Sequence, residues 1–262
     1  MSTADPDALA AFDAYTKALV ASVSARPDVL GLVLLGSGAE RHRIDEWSDH
    51  DFYLVVDDGV AEDYRLDLSW LPDAERIVLA PRETEHGLKV VYDDGHVLEF
   101  AVATLGEVAG FGTNHWRVVV DRGGVEPVIR AAAERSAAPA DRDDVRDIEL
   151  FLALLLIGTG RARRGEVLAA GEFTRSHALG LLLAVWRSRR PAEHPERLDR
   201  LDPHRRFELV YPAAAAELAN ALREDPERAG RALLEIAERE LAPEWAGWPA
   251  DAVAAIRRRL DW

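Results

Sequence analysis

Between Asp5 and Ser24 the apolar residues Leu9, Phe12, Tyr15, Leu19 and Val23 recur every three or four positions, which is the period of a helix that buries one face. Asp5 followed by Pro6 predicts where that helix starts, with the aspartate as N-cap and the proline at the first helical position. The period then shortens. Apolar runs at Leu30 to Leu35, Phe52 to Val56, Arg76 to Ala80, Leu88 to Tyr92, His96 to Ala103 and Trp116 to Asp121 read as strands. Asp94-Gly95 between the fourth and fifth runs predicts a hairpin turn.

Around Glu134 to Asp144 small residues, a proline and charges replace the periodic pattern, and beyond that the helical period returns for good. Helices are predicted over Val145 to Arg164, Gly165 to Arg189, Phe207 to Arg223, Glu227 to Glu240 and Asp251 to Leu260. The stretch Ile148 to Gly158 is apolar on nearly all sides, as in the central helix of a bundle or at a dimer interface. The expected class is α+β, with a strand-bearing domain over 1–137 and an α-helical bundle over 138–262.

Composition narrows the function. With 48% hydrophobic and 30% charged residues, the 262-residue chain belongs among globular proteins. The N-terminus lacks the basic and apolar regions of a secretion signal, and the most apolar run is too short to span a bilayer. The expectation is a cytoplasmic protein with no membrane partner. There are no cysteines, which removes thiol catalysis and Cys-ligated zinc. A net charge of −15 repels a phosphate backbone, so no nucleic-acid partner is expected; the same charge aids solubility and would draw in a cationic small molecule.

One stretch breaks the hydrophobic pattern in a way that packing does not require. Asp49 and Asp51 open the run Phe52 to Val56, and alternation along a strand puts both carboxylates on one side with Tyr53 and Val55. Two like charges projecting together repel unless a cation holds both ionised, and an all-oxygen donor set suits Mg²⁺. Glu99, inside the apolar run "HVLEFAVA", is the expected third metal ligand, because an unpaired charge there would be costly. Gly36 and Ser37 follow the first strand. The glycine permits a tight turn, and the serine hydroxyl and backbone N–H can bind a phosphate.

Gly36-Ser37, then Asp49-His50-Asp51 after an eleven-residue gap, then a later strand glutamate, Glu99, resembles the signature of the DNA polymerase β-like nucleotidyltransferases. The length, the helical second half and the segment "RARRGEVLAAGEF" are similar to the aminoglycoside and lincosamide members. The resemblance implies a mixed sheet with flanking helices followed by the bundle, with the active site in a cleft between the two domains. It implies transfer of a nucleoside monophosphate, AMP, from an NTP, ATP, to a hydroxyl of a small molecule such as an aminoglycoside or related antibiotic. Two Mg²⁺ ions would be held by Asp49, Asp51 and Glu99. The general base is left open between Glu99 and Glu166, and Glu166 reads equally well as a helix-start glutamate favoured by the dipole. Arg164 and Arg175 are the residues expected to offset the triphosphate charge, ahead of Arg205 and Arg206. An antitoxin-like regulator that modifies or binds a partner protein is the alternative; the intact acidic trio and the long helical half favour the enzyme. Monomer and homodimer both stay open.

Other signals are weaker. Arg41 occupies the last glycine position of a dinucleotide fingerprint, and no phosphate-binding P-loop or nucleophile elbow is present. Asp45 and Glu46 are expected to face water, His50 to pack behind the acidic face, and His177 to lie in a helical core. Trp245, Trp248 and Trp262 are expected to seal the bundle.

Overall fold

The computed structural model describes residues 5–137 and 142–262, and the chain divides into two compact units, Met1–Ala138 and Pro139–Trp262. The boundary expected at 137/138 falls at the edge of 138–141, which lie outside the described residues.

In the first unit, helix α1 (Pro6–Ser24) starts where the sequence predicts, with Asp5 accepting a 3.0 Å hydrogen bond from the Asp7 N–H. It buries Phe12, Leu19 and Val23. Among the described residues six strands form one sheet: β1 (Val29–Leu35), β2 (His50–Val56), β3 (Ile77–Leu79), β4 (Gly87–Tyr92), β5 (Val97–Thr104) and β6 (Trp116–Asp121). Their spatial order is β3-β4-β5-β2-β1-β6. The β2/β5 pair is parallel and the other neighbours are antiparallel, so the sheet is mixed. Short helices α2 (Gly36–Ala39), α3 (Ala61–Leu66) and α4 (Leu105–Val108) precede the longer α5 (Val125–Ala137).

Alternation sorts the strands onto two cores. Phe52, Leu54, Val56, Leu98, Phe100 and Val102 pack with Leu19, Val23 and Trp70 on one face. Tyr53 and Val55, of the same parity as Asp51, join Val108 and Ile129 on the other. The β4/β5 hairpin turns where expected, at Gly95 with φ +87°, a left-handed conformation that costs glycine nothing.

The second unit is helical: α6 (Asp144–Arg163), α7 (Val167–Gly171), a π-helical stretch Glu172–Ala178, α8 (Leu179–Arg189), α9 (Phe207–Val210), α10 (Pro212–Ala221), α11 (Pro226–Leu241) and α12 (Ala250–Leu260). Helix α6 packs against α7, α8, α11 and α12 and buries Ile148, Phe151, Leu152 and Leu155, while Leu150 and Ile157 stay exposed.

Three expectations need correction. The single helix expected over Gly165 to Arg189 is interrupted by the wider π turn. The helix expected over Phe207 to Arg223 is two, because Pro212 disfavours helical backbone at Tyr211, which sits at φ −134° and ψ 62°. His177 is not a core residue: Thr174 and Ala178 point inward from that segment, and His177 is exposed, 3.5 Å from Glu172. Trp245 is buried, with Trp248 and Trp262 partly buried against the same core.

Candidate metal and nucleotide site

Parallel pairing of β2 with β5 sets Asp51 directly beside Glu99. Asp49, one residue ahead of β2, completes the group: each of the three carboxylates offers an oxygen, and these oxygens all lie within 4.8 Å of one another. All three residues are half-buried. An all-oxygen donor set of this kind fits Mg²⁺, which keeps several waters and shares its shell with phosphate.

The turn after β1 meets this group from the other side. Gly36 lies at φ +51°, and a Cβ built there would lie 2.9 Å from Asp51 Oδ2. Both the backbone conformation and the close approach therefore require glycine. Ser37 follows, and its hydroxyl is buried without a hydrogen-bond partner. An unpaired buried hydroxyl costs free energy that a ligand oxygen can recover. Arg117, on β6, donates to the Gly38 carbonyl at 3.0 Å and so places a guanidinium against the same turn. Burial is the main cause holding its pKa below the usual arginine value.

Behind the acidic face His50 is buried, stacked on Phe12 with ring centroids 3.7 Å apart. Its Nε2 lies 3.2 Å from the Phe12 carbonyl and 3.1 Å from the Thr16 hydroxyl, and its Nδ1 lies 2.8 Å from His96 Nε2; because the carbonyl can only accept, we assign the proton to Nε2, which leaves Nδ1 to accept from His96. Burial, reinforced by His96, pushes the His50 pKa down to about 3 and keeps the ring neutral. Burial, with a contribution from the Asp51 charge, pushes the Tyr53 phenol up; its hydroxyl donates to the Gly112 carbonyl at 3.0 Å.

Glu99 is not an unpaired charge, as its apolar strand suggested. Lys89, its register partner on β4, reaches Glu99 Oε2 at 2.9 Å. The hairpin turn carried the missed signal: with Val91 opposite Val97, counting back two residues on one strand and forward two on the other sets Lys89 opposite Glu99.

A cavity of about 750 Å³ adjoins Asp49 within the first unit. Aromatic rings of Tyr15, Trp47, Tyr92 and His96 line it, together with the carboxylates of Asp45, Glu46 and Asp73. Its one arginine, Arg76, is already held by Asp93 at 2.6 Å and Asp94 at 2.8 Å. Trp47 is 84% exposed, a large ring left in water at the cavity wall, and Asp45 and Glu46 are also exposed.

The structure thus brings Gly36, Ser37, Asp49, Asp51 and Glu99 together in the first unit. Glu166, Arg164 and Arg175 belong to the second. There Glu166 precedes α7 and binds Arg161 and Arg164, each at 2.8 Å; these two arginines, Arg164 foremost, hold its carboxyl below the usual range. Arg175 donates to the Glu224 carbonyl. Arg205 and Arg206 lie 3.7 and 3.9 Å from the buried Asp199.

No family model and no curated protein matches the chain. Among solved structures it is similar to an aminoglycoside 6-adenyltransferase from Bacillus subtilis, at 12% identity over 94% of this chain and 95% of that one, with a TM-score of 0.34. It is also similar to the CdnC:HORMA-deltaN complex of E. coli MS115-1, at 12% identity, 92% and 93% coverage and a TM-score of 0.33. A third is the CD-NTase CdnG of Bradyrhizobium diazoefficiens in complex with GTP, at 14% identity, 99% and 96% coverage and a TM-score of 0.30. The overlap with all three is loose. Among the described residues no helix is long and apolar enough to cross a membrane.

Proposed function

We propose that the chain is a Mg²⁺-dependent nucleotidyltransferase that moves AMP from ATP to a hydroxyl of a small, cationic molecule such as an aminoglycoside or related antibiotic. The observation that carries this reading is the convergence of Asp49, Asp51 and Glu99 opposite a Gly36-Ser37 turn whose glycine touches Asp51 and whose serine hydroxyl has no partner.

Asp49, Asp51 and Glu99 would hold the divalent ions, which when bound neutralise phosphate charge and acidify the attacking hydroxyl. Ser37 would donate its unpaired hydroxyl to a phosphate oxygen, and Arg117 would set positive charge beside that turn. The acceptor oxygen forms a bond to the α-phosphorus, the bond from that phosphorus to the bridging oxygen breaks, and pyrophosphate leaves with the electron pair. Glu99 is the better proton acceptor of the two candidates, since a lysine holds only one of its oxygens, whereas both oxygens of Glu166 are engaged by arginines that weaken it as a base. Arg164 and Arg175 each hold a neighbour in the second unit through one nitrogen, and would offer a nucleotide their remaining N–H groups. The cavity beside Asp49 would seat the acceptor, its amines facing Asp45, Glu46 and Asp73 and a ring face lying on Trp47.

Pyrophosphate release from radiolabelled NTPs across a panel of hydroxylated antibiotics tests the reading. Asp51→Asn, which removes a ligand oxygen's charge with almost no change in volume, is expected to bring turnover below detection while leaving the melting temperature within a few degrees. Full activity in that variant refutes the assignment. Labelling of a copurifying protein with no small-molecule product would redirect it to a protein acceptor.

A further inference from the structure

The metal chemistry above makes no use of Lys89. Its ammonium lies 2.9 Å from Glu99 Oε2 and also 3.2 Å from Glu83 Oε1. Asp51, Glu99 and Lys89 form one row across β2, β5 and β4, so the lysine stands directly beside Glu99 at the edge of the acidic group. Glu83 is fixed within its reach by the backbone: the Glu83 N–H donates to the Gly87 carbonyl at 2.9 Å and the Lys89 N–H to the Pro81 carbonyl at 3.1 Å.

Two facts conflict if Lys89 stays where it is. Three carboxylates this close need positive charge, and the lysine supplies it at Glu99. A divalent ion on Glu99, however, would share that carboxylate with an ammonium, and the two cations repel. The pair is open to water, with Lys89 40% and Glu99 46% exposed, so it is weak enough to part. Glu83, as exposed as Glu99 and already within ion-pair distance, gives the ammonium a second partner without any backbone movement.

We infer that Lys89 is a resident counter-ion of the acidic group, which passes from Glu99 to Glu83 when a divalent cation takes Glu99 and so sets the metal affinity of the site. This rests on the metal-site reading proposed above. Lys89 is a positioning residue here and not a group that touches substrate.

The test is Mn²⁺ binding to the full chain without nucleotide, read from the paramagnetic resonance of free Mn²⁺. Lys89→Met removes the competing cation and is expected to tighten Mn²⁺ binding about threefold to fivefold, the scale of one partly exposed charge pair. Lys89→Arg keeps the charge and stays near the native affinity. Glu83→Gln leaves the lysine only Glu99 and weakens binding about twofold to threefold, opposite in sign to Lys89→Met. The double variant matches Lys89→Met alone, since the relay partner matters only while the lysine is present. Unchanged or weaker binding in Lys89→Met overturns the inference; were that variant unfolded, the sign of the Glu83→Gln effect decides it. Asp51→Asn separates the two readings. If it abolishes Mn²⁺ binding while Lys89→Met has no effect, only the role of Lys89 falls; if it binds Mn²⁺ normally, the metal site falls and this inference with it.

Discussion

Replacing Gly36 with alanine perturbs the candidate site at a single atom. The native backbone sits at φ +51°, where a residue with a Cβ costs about 1 to 2 kcal/mol. The new methyl would also stand 2.9 Å from Asp51 Oδ2, well inside ordinary carbon–oxygen contact, so either the turn or the carboxylate must shift by several tenths of an ångström. Gly59 supplies the control. It lies at φ +87° with nothing within 4 Å of a built Cβ, so Gly59→Ala pays the backbone cost without touching a carboxylate. Both variants are expected to lose about 1 to 2 kcal/mol in denaturant unfolding. Only Gly36→Ala should also lose Mn²⁺ affinity, by about tenfold, and turnover by about a hundredfold, because misplacing a metal ligand by a fraction of an ångström spoils in-line geometry. If Gly36→Ala binds Mn²⁺ as well as Gly59→Ala does, the close approach of turn and carboxylate plays no part in the site.

Two further outcomes follow from other parts of the first unit. Trp47→Ala is expected to leave stability within about 0.5 kcal/mol, since the ring is in water, and to leave Mg·ATP binding unchanged, while raising the acceptor KM about tenfold through lost stacking; an unchanged KM would place the acceptor elsewhere. Asp121 accepts from the N–H groups of Gly124, Val125 and Glu126 at 2.8, 2.9 and 3.0 Å, and these bonds, that of Glu126 foremost, hold its carboxyl below the usual range. A lowered folded pKa gives stability that is present above the unfolded value and is lost as pH falls through the folded one. Asp121→Ala should therefore cost about 1 kcal/mol at pH 7, and the gap from the native chain should close at pH values below the folded pKa; denaturant curves at the two pH values check this, and a gap that persists in acid would contradict it.

Much of the site was legible in the residues because it rests on short-range rules. Asp5-Pro6 sets the start of α1 by capping chemistry, Asp94-Gly95 sets the hairpin, and strand parity places Asp49 and Asp51 on one side of β2. Lys89 opposite Glu99 was legible too, since a hairpin turn fixes its own register, but the apolar texture of β5 drew attention to burial instead of to the partner strand. The splitting of α9 from α10 at Pro212 was also written locally.

Sequence alone determined most of the elements and which acidic residues share a strand face, because caps, turns and strand alternation depend on neighbours a few positions apart. Tertiary structure decided the rest. That β5 lies parallel to β2, so that Glu99 meets Asp51, depends on which of several apolar strands buries best against which, a competition between distant segments. The approach of Gly36 to Asp51 Oδ2, the unpaired Ser37 hydroxyl and the exposure of Trp47 are likewise products of packing, and no local period encodes them.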